Sequence, residues 1–136
     1  MRGDHMFEFF RKKPKSSADD LNPARAIEFF KRGNFPEALR RAEAMLAADP
    51  DIPMSWRFKG ECLYSLKRYA ESVDCFDRAA SLGGPGTEDM FLWKALALNN
   101  DGKQDRAKQV IQRFLTAGDG TPELIAKAKG ALAKLG

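Results

Sequence analysis

The chain has 136 residues, of which 43% are hydrophobic and 31% charged, and this fits one small domain with a modest core. No apolar run approaches the roughly 18 residues of a membrane span, and no apolar stretch follows the first residues as in a secretory signal. The chain has one histidine, His5, and two cysteines, Cys62 and Cys75, which are too few for a disulfide framework. We therefore expect a cytoplasmic protein with reduced thiols, no metal, no cofactor and no enzymatic activity.

The formal charge of +4 lies mainly at the N-terminus. Residues 1–15 contain five bases and two acids, a net of +3, whereas residues 16–136 contain 18 bases and 17 acids, a net of +1. A nearly neutral body argues against nucleic acid as a partner, since binding DNA or RNA needs several bases on one face. Residues 1–5 look like the remnant of a cloning site, so we expect the natural chain to begin at Met6.

The segment "MFEFFRKKPKSSADD", residues 6–20, places three phenylalanines before four bases and a Pro/Ser/Asp linker. We interpret residues 1–20 as a tag remnant followed by a basic, Phe-rich arm. Three roles stay open for the arm: a disordered tail, a short cap on the rest of the chain, or a docking segment. In the third role, its phenylalanines insert into a groove of this chain or of a neighbour, or contact an anionic membrane. Membrane contact is expected only through this arm.

From residue 21 onward the sequence indicates helices separated by Gly and Pro breaks. Asn22 before Pro23 predicts the start of a first helix, because an Asn side chain caps the free N–H groups and proline suits the first turn. Gly33 predicts the end of that helix, and Pro36 predicts the start of the second. These residues therefore predict where the first two helices begin and where the first one ends.

Further helices are predicted over about 53–66 and 69–81, and the "GGPG" break at 83–86 separates them from another pair. A single helix is predicted over 121–135. Its apolar stripe consists of Leu124, Ala128, Ala131 and Leu135. A stripe of this kind can cover the last open apolar face of a finite stack.

The helix pairs form an internal repeat. An offset of 34 residues places Ala26 on Gly60 and Phe29 on Leu63, and a third copy lies 35 residues further on, where Gly60 meets Ala95. Small residues thus recur at one place and bulky apolar residues at another, which is typical of stacked helical hairpins. We expect the small residues to allow two antiparallel helices to approach closely.

On these residues the chain resembles the tetratricopeptide-repeat (TPR) family. The best-matching middle copy has Trp56, Gly60, Leu63, Tyr69, Ser72, Phe76 and Ala79 at the family's key places. The resemblance implies an all-α fold of seven helices, with helical hairpins stacked as a right-handed superhelix around a concave groove. It divides the TPR domain, residues 21–136, into repeats at about 20–52, 53–87 and 88–120 and a capping helix at 121–135.

In the family, a second stripe on the first helix of each repeat lines the groove. The expected partner-binding residues are therefore Ile27, Phe30, Arg57, Phe58, Glu61, Tyr64, Leu92, Trp93 and Leu96. Large aromatics with an arginine suit a peptide that carries apolar anchors, and we expect Arg57, Tyr64 and Trp93 to hold it. The alternative for the aromatics, Phe58 in particular, is packing between adjacent first helices.

Family members that hold a peptide's terminal carboxylate use Lys and Asn on this stripe, where this chain has Arg57, Phe58 and Glu61, then Leu92 and Leu96. The carboxylate-clamp pattern is thus absent. We expect a non-enzymatic interaction module that binds a partner peptide or protein in the groove. The alternative is a self-assembling structural protein, a homo-oligomer that uses its repeat faces or the Phe-rich arm.

Overall fold

A computed structural model of the chain describes residues 16–135, in which every regular element is an α-helix. In chain order the helices are α1 (Pro23–Lys31), α2 (Phe35–Ala48), α3 (Pro53–Ser65), α4 (Tyr69–Leu82), α5 (Met90–Asn100), α6 (Gln104–Ala117) and α7 (Pro122–Leu135). The predicted all-α fold with seven helices is confirmed for these residues. No helix in this part is both long and apolar enough to cross a membrane. The predicted tag remnant and most of the arm, residues 1–15, lie outside the described residues.

Local sequence explains where the first helices begin. The Asn22 side chain accepts a hydrogen bond from the Ala24 N–H at 3.0 Å, with Pro23 in the first turn, as predicted. The second helix is capped in the same way by Asn34, whose side chain accepts from the Glu37 N–H at 3.4 Å. Each cap satisfies a backbone donor that has no partner within its helix.

The turns inside the three hairpins are equivalent but differ in strain. Gly33 and Gly102 have φ of 79° and 78°, a left-handed conformation that glycine adopts without penalty. The equivalent position of the middle hairpin holds Lys67 at φ 61°. A residue with a Cβ is disfavoured in the left-handed region, so the middle turn carries backbone strain that the other two lack.

Each helix packs chiefly on the helices before and after it in the chain. The closest approach predicted from the repeat occurs between α3 and α4, where a Cβ on Gly60 would lie 2.6 Å from Phe76 Cε1. Phe76 is fully buried, and the buried Ser72 hydroxyl donates to the Tyr69 carbonyl at 2.7 Å. Any larger side chain at position 60 would therefore displace the Phe76 ring.

The apolar core continues from hairpin to hairpin. Its largest cluster contains Phe76 of α4, Met90 of α5 and Ile111 of α6, and α7 adds Ala128 and Leu135. The last helix therefore buries part of its predicted stripe against the stack, which otherwise would end in an exposed apolar face.

An ionic network holds the segment before α1. Arg41 is only 6% exposed, and its guanidinium lies 2.9 Å from the Asp19 carboxylate and 3.0 Å from that of Glu37. Arg40 pairs with Asp20 at 2.8 Å. Hydrogen bonds from Arg41 lower the pKa of Asp19, and hydrogen bonds from Arg40 lower the pKa of Asp20. These pairs fix the chain path that leads into α1.

Candidate functional site

An open pocket of about 590 Å³ lies between α1 and α3, beside the end of α2 and the loop that precedes α3. We call it the α1–α3 pocket. Its larger apolar side chains are Leu21, Ile27, Phe30, Met45, Ile52, Met54 and Phe58. A pocket of this size and apolar character is typical of ligand-binding clefts.

The pocket is distinguished by large aliphatic side chains that remain in contact with solvent. Ile27, Ile52 and Met54 are 42%, 44% and 45% exposed, and they are three of the five large hydrophobic residues exposed in residues 16–135. Single exposed apolar residues are ordinary on protein surfaces, whereas several around one concavity indicate a binding surface.

Two aromatic rings form the base of the pocket. Phe30 of α1 and Phe58 of α3 have ring centroids 5.8 Å apart, and Phe30 also contacts Phe35 edge-on at 5.1 Å. Phe58 is half-buried and packs against core residues of the first two hairpins. It therefore packs between helices and also lines the pocket, and its role in partner binding remains a prediction.

Glu61 supplies a carboxyl group to the pocket wall. Its side chain is 25% exposed, and its nearest cation is the Arg57 Nε at 3.8 Å. Burial raises the pKa of the Glu61 carboxyl, although the Arg57 charge acts in the opposite direction. Lys31 and Asp49 are the other charged side chains along the lining. The polar part of the pocket thus contains two acids and one base.

Arg57 is committed to contacts within the chain. Its Nη1 donates to the Gly86 carbonyl at 2.7 Å and to the Asp89 carboxylate at 3.4 Å. The guanidinium carbon also lies 6.0 Å from the centre of the Trp93 ring. The structure therefore uses Arg57 to join α3 to the loop before α5, outside the pocket lining.

Tyr64 and Trp93 meet at the contact between α3 and α5. Their ring centroids are 6.1 Å apart, and the Trp93 ring lies 5.9 Å from that of Phe76. The Tyr64 hydroxyl accepts a hydrogen bond from Asn100 Nδ2 at 2.6 Å. Both aromatic side chains are partly buried and pack against the largest core cluster. We call this contact the α3–α5 junction.

The predicted binding residues thus fall into two groups. The α1–α3 pocket is lined by Ile27, Phe30, Phe58 and Glu61. The others, outside that lining, are Arg57, Tyr64, Leu92, Trp93 and Leu96. Of these, Leu96 is 43% exposed, whereas Leu92 packs against the core. Their roles in partner binding remain predictions.

Sequence reasoning missed several residues that form the pocket. Leu21 and Ile52 belong to connecting segments and Met45 belongs to α2, so none lies on the groove stripe of a first helix. A usable signal was Ile52, a large aliphatic residue directly before the helix-starting Pro53. Met54, in the first turn of α3, is also absent from the expected binding residues.

The cysteines are packed in the core. Cys62 and Cys75 are free and buried, and burial raises their pKa values to about 12 and about 11. A thiol with so high a pKa is a poor nucleophile at neutral pH. Within residues 16–135, no group of three His, Cys, Asp or Glu side chains is arranged to hold a metal ion.

A family model of the tetratricopeptide repeat matches residues 24–87, which span α1 to α4 and thus two helical hairpins. The key residues of the repeat and the Gly60–Phe76 contact lie in this region. Residues 24–87 therefore match the tetratricopeptide-repeat family. No curated protein sequence matches it.

Solved structures of TPR domains show the same fold over most of this chain. The TPR2B domain of yeast Sti1, in a pHsp70 complex, is 16% identical with a TM-score of 0.72, covering 88% of this chain and 97% of that chain. The second TPR domain of human RPAP3, with the HSP70 peptide SGPTIEEVD, is 22% identical with a TM-score of 0.66, covering 82% and 89%. The first TPR of Spaghetti (RPAP3), bound to the HSP90 peptide SRMEEVD, is 18% identical with a TM-score of 0.66, covering 90% and 98%.

Proposed function

We propose that this TPR protein is a non-enzymatic interaction module that binds a peptide segment of a partner protein in the α1–α3 pocket. The observation that carries the proposal is the exposure of Ile27, Ile52 and Met54 around one apolar pocket. Covering them would remove apolar surface from water, and each fully buried aliphatic or aromatic side chain contributes about 1.5–3 kcal/mol.

The similar solved domains support a peptide as the partner, because two of them are bound to an HSP70 or HSP90 peptide and a third is in a pHsp70 complex. Two of those peptides end in the acidic sequence EEVD. In this protein, the pocket wall has the acids Asp49 and Glu61 beside a single base, Lys31. Like charges oppose each other, so the pocket favours apolar segments with neutral or basic flanks over an acidic tail.

The residues of the pocket have separate roles in this proposal. Phe30 and Phe58 form a rigid base against which an apolar anchor packs. Met54, with its flexible side chain, adapts to the shape of that anchor. Glu61 at the wall fixes the orientation of the bound segment through hydrogen bonds or charge.

Peptides selected on the full chain from a phage-displayed random library would test the proposal, with binding measured by fluorescence anisotropy. Ile52→Ser should weaken binding of a selected peptide at least tenfold, about 1.4 kcal/mol. Leu82→Ser is the matched control, because Leu82 is also exposed, at 37%, but lies on α4 outside the pocket lining. Failure to select any peptide, or equal binding by Ile52→Ser and Leu82→Ser, would overturn the proposal.

We further propose that the protein acts in the cytoplasm, supported by the free, buried state of Cys62 and Cys75, the only two cysteines in the chain. Fractionation of the source cells with an antibody against the chain would test this. Recovery from a secreted or membrane fraction would contradict it.

A further inference from the structure

The α1–α3 pocket defines the chemistry of its occupant. Its wall is apolar over Ile27, Phe30, Ile52 and Phe58, which calls for large apolar side chains. The carboxyl group of Glu61 stands beside these rings with its nearest cation 3.8 Å away. An occupant that also supplies a positive charge would give this partly buried carboxylate a closer partner.

The chain itself contains a segment of this chemistry. Residues 7–15, "FEFFRKKPK", have three phenylalanines followed by four bases, and with Glu8 as the only acid their net charge is +3. These residues lie outside the described part of the chain. Their phenylalanines complement the apolar floor of the pocket. Their positive charges complement its lining, which has two acids and one basic residue.

The chain enters the described structure directly beside the pocket. Leu21 is one of the lining residues, and the Arg41–Asp19 and Arg40–Asp20 pairs fix the segment that contains it. An extended chain spans at most about 3.3–3.6 Å per residue, so the ten residues between Phe10 and Leu21 can reach roughly 35 Å. The pocket wall formed by α1, nine residues long, measures only about 14 Å.

We propose that residues 7–15 of the same chain occupy the α1–α3 pocket, with their phenylalanine rings on Phe30 and Phe58 and a base of Arg11–Lys13 beside Glu61. This inference rests on the proposed function, because the segment occupies the surface that binds the partner. A tethered segment acts at an effective concentration on the order of millimolar, so it occupies the pocket even when its intrinsic affinity is weak. A partner then has to displace the arm. The partner's apparent affinity is its intrinsic affinity multiplied by the fraction of pockets that the arm leaves open.

Paramagnetic relaxation in the full chain tests the contact. A nitroxide attached at Met6→Cys labels the arm selectively, because Cys62 and Cys75 are buried and their raised pKa values keep them unreactive. The methyl signals of Ile27 and Ile52 should broaden, whereas that of Ile125 on α7, at the other end of the stack, should not. Phe9→Ser combined with Phe10→Ser should abolish the broadening, and Glu61→Gln should reduce it.

Other outcomes overturn the proposal. Unbroadened Ile27 and Ile52 signals, or equal broadening at Ile125, would show that the arm has no specific site in the pocket. A mixture of spin-labelled chains and separate isotope-labelled chains distinguishes docking within one chain from docking between copies. If the Ile27 and Ile52 signals broaden as much in that mixture as in the chain that carries both labels, the arm contacts a second copy. That result would contradict docking within one chain.

The peptide-binding assay separates this inference from the proposed function. With the arm displaced by the Phe9→Ser and Phe10→Ser changes, a library-selected peptide should bind several-fold more tightly than it binds the unchanged chain. If that affinity is unchanged while Ile52→Ser still weakens binding at least tenfold, the arm proposal fails and the pocket remains the proposed binding site. If Ile52→Ser has no effect on the peptide, the proposed function fails whatever the relaxation experiment shows.

Discussion

The α1–α3 pocket and the α3–α5 junction are built from equivalent positions of successive repeats. Phe30 and Phe58 meet at 5.8 Å in the first, and Tyr64 and Trp93, which are 34 and 35 residues further along, meet at 6.1 Å in the second. The aromatic contact is therefore a repeated packing element. The space beside the aromatic contact differs. It is open in the α1–α3 pocket, whereas Arg57 bridges it at the α3–α5 junction.

The difference comes from one pair of positions. Arg57 and Asp89 join α3 to the segment before α5, whereas the equivalent positions of the first repeat contact hold Pro23 and Met54. Proline and methionine cannot form an ion pair, so both line an open pocket. In this stack, an open pocket thus occurs where the side chains that bridge neighbouring units are replaced by residues that cannot form an ion pair.

The largest expected effect is on the junction. Trp93→Ala removes a partly buried ring that packs against Phe76 and Tyr64, and we expect it to lower the free energy of unfolding by about 2–3 kcal/mol. Urea unfolding followed by circular dichroism measures this change. A loss below about 1 kcal/mol together with loss of peptide binding would instead make Trp93 a partner-binding residue.

Removal of the bridge should have an intermediate effect. Arg57→Met eliminates hydrogen bonds to Gly86 and Asp89, and a hydrogen bond to a charged group contributes about 1.5–3 kcal/mol. Because Arg57 is part-exposed, we expect a loss of about 1–2 kcal/mol and faster amide exchange over residues 83–89. Arg106→Met, a change at an exposed arginine of α6, is the control and should leave both quantities unchanged.

The smallest effect concerns pH, and its sign differs between the pocket and the network before α1. Hydrogen bonds from Arg41 lower the pKa of Asp19 in the folded state. Asp19 therefore stabilises the fold at pH values above its ordinary pKa of 3.8, and this contribution is lost as pH falls through the folded-state pKa. Burial raises the pKa of Glu61, so protonation favours the folded state, and this contribution is lost as pH rises through the folded value.

Glu61→Gln should therefore increase the free energy of unfolding at pH 7 by about 0.5–1 kcal/mol, since the weak 3.8 Å contact with Arg57 offsets little of the burial cost. At a pH below the ordinary value of 4.5, the two proteins should be equally stable. Urea midpoints at both pH values check this. A destabilised variant at pH 7 would show that the pair with Arg57 outweighs burial.

Short-range and periodic patterns in the sequence predicted the helices, their packing and four residues of the pocket lining, but not the rest of the pocket. The Asn22 cap depends only on the residues directly after it, and the Gly60–Phe76 contact is a fixed feature of each hairpin, so both could be found by aligning copies. The pocket depends on the paths of connecting segments. The hydrogen bond to the Gly86 carbonyl holds Arg57 outside the pocket lining, and the turn before Pro53 places Ile52 in that lining. Neither is encoded in a period of 34 residues.

The strained turn at Lys67 has a consequence for how this protein tolerates change. A left-handed backbone conformation costs a residue with a Cβ about 1–2 kcal/mol, yet it occurs in the hairpin that matches the family best. Natural proteins need only stay above a threshold of stability, so a local cost of this size is tolerated where other contacts offset it. The close Gly60–Phe76 packing lies in the same hairpin, so this hairpin combines a tight helix contact with a turn that a glycine at position 67 would relax.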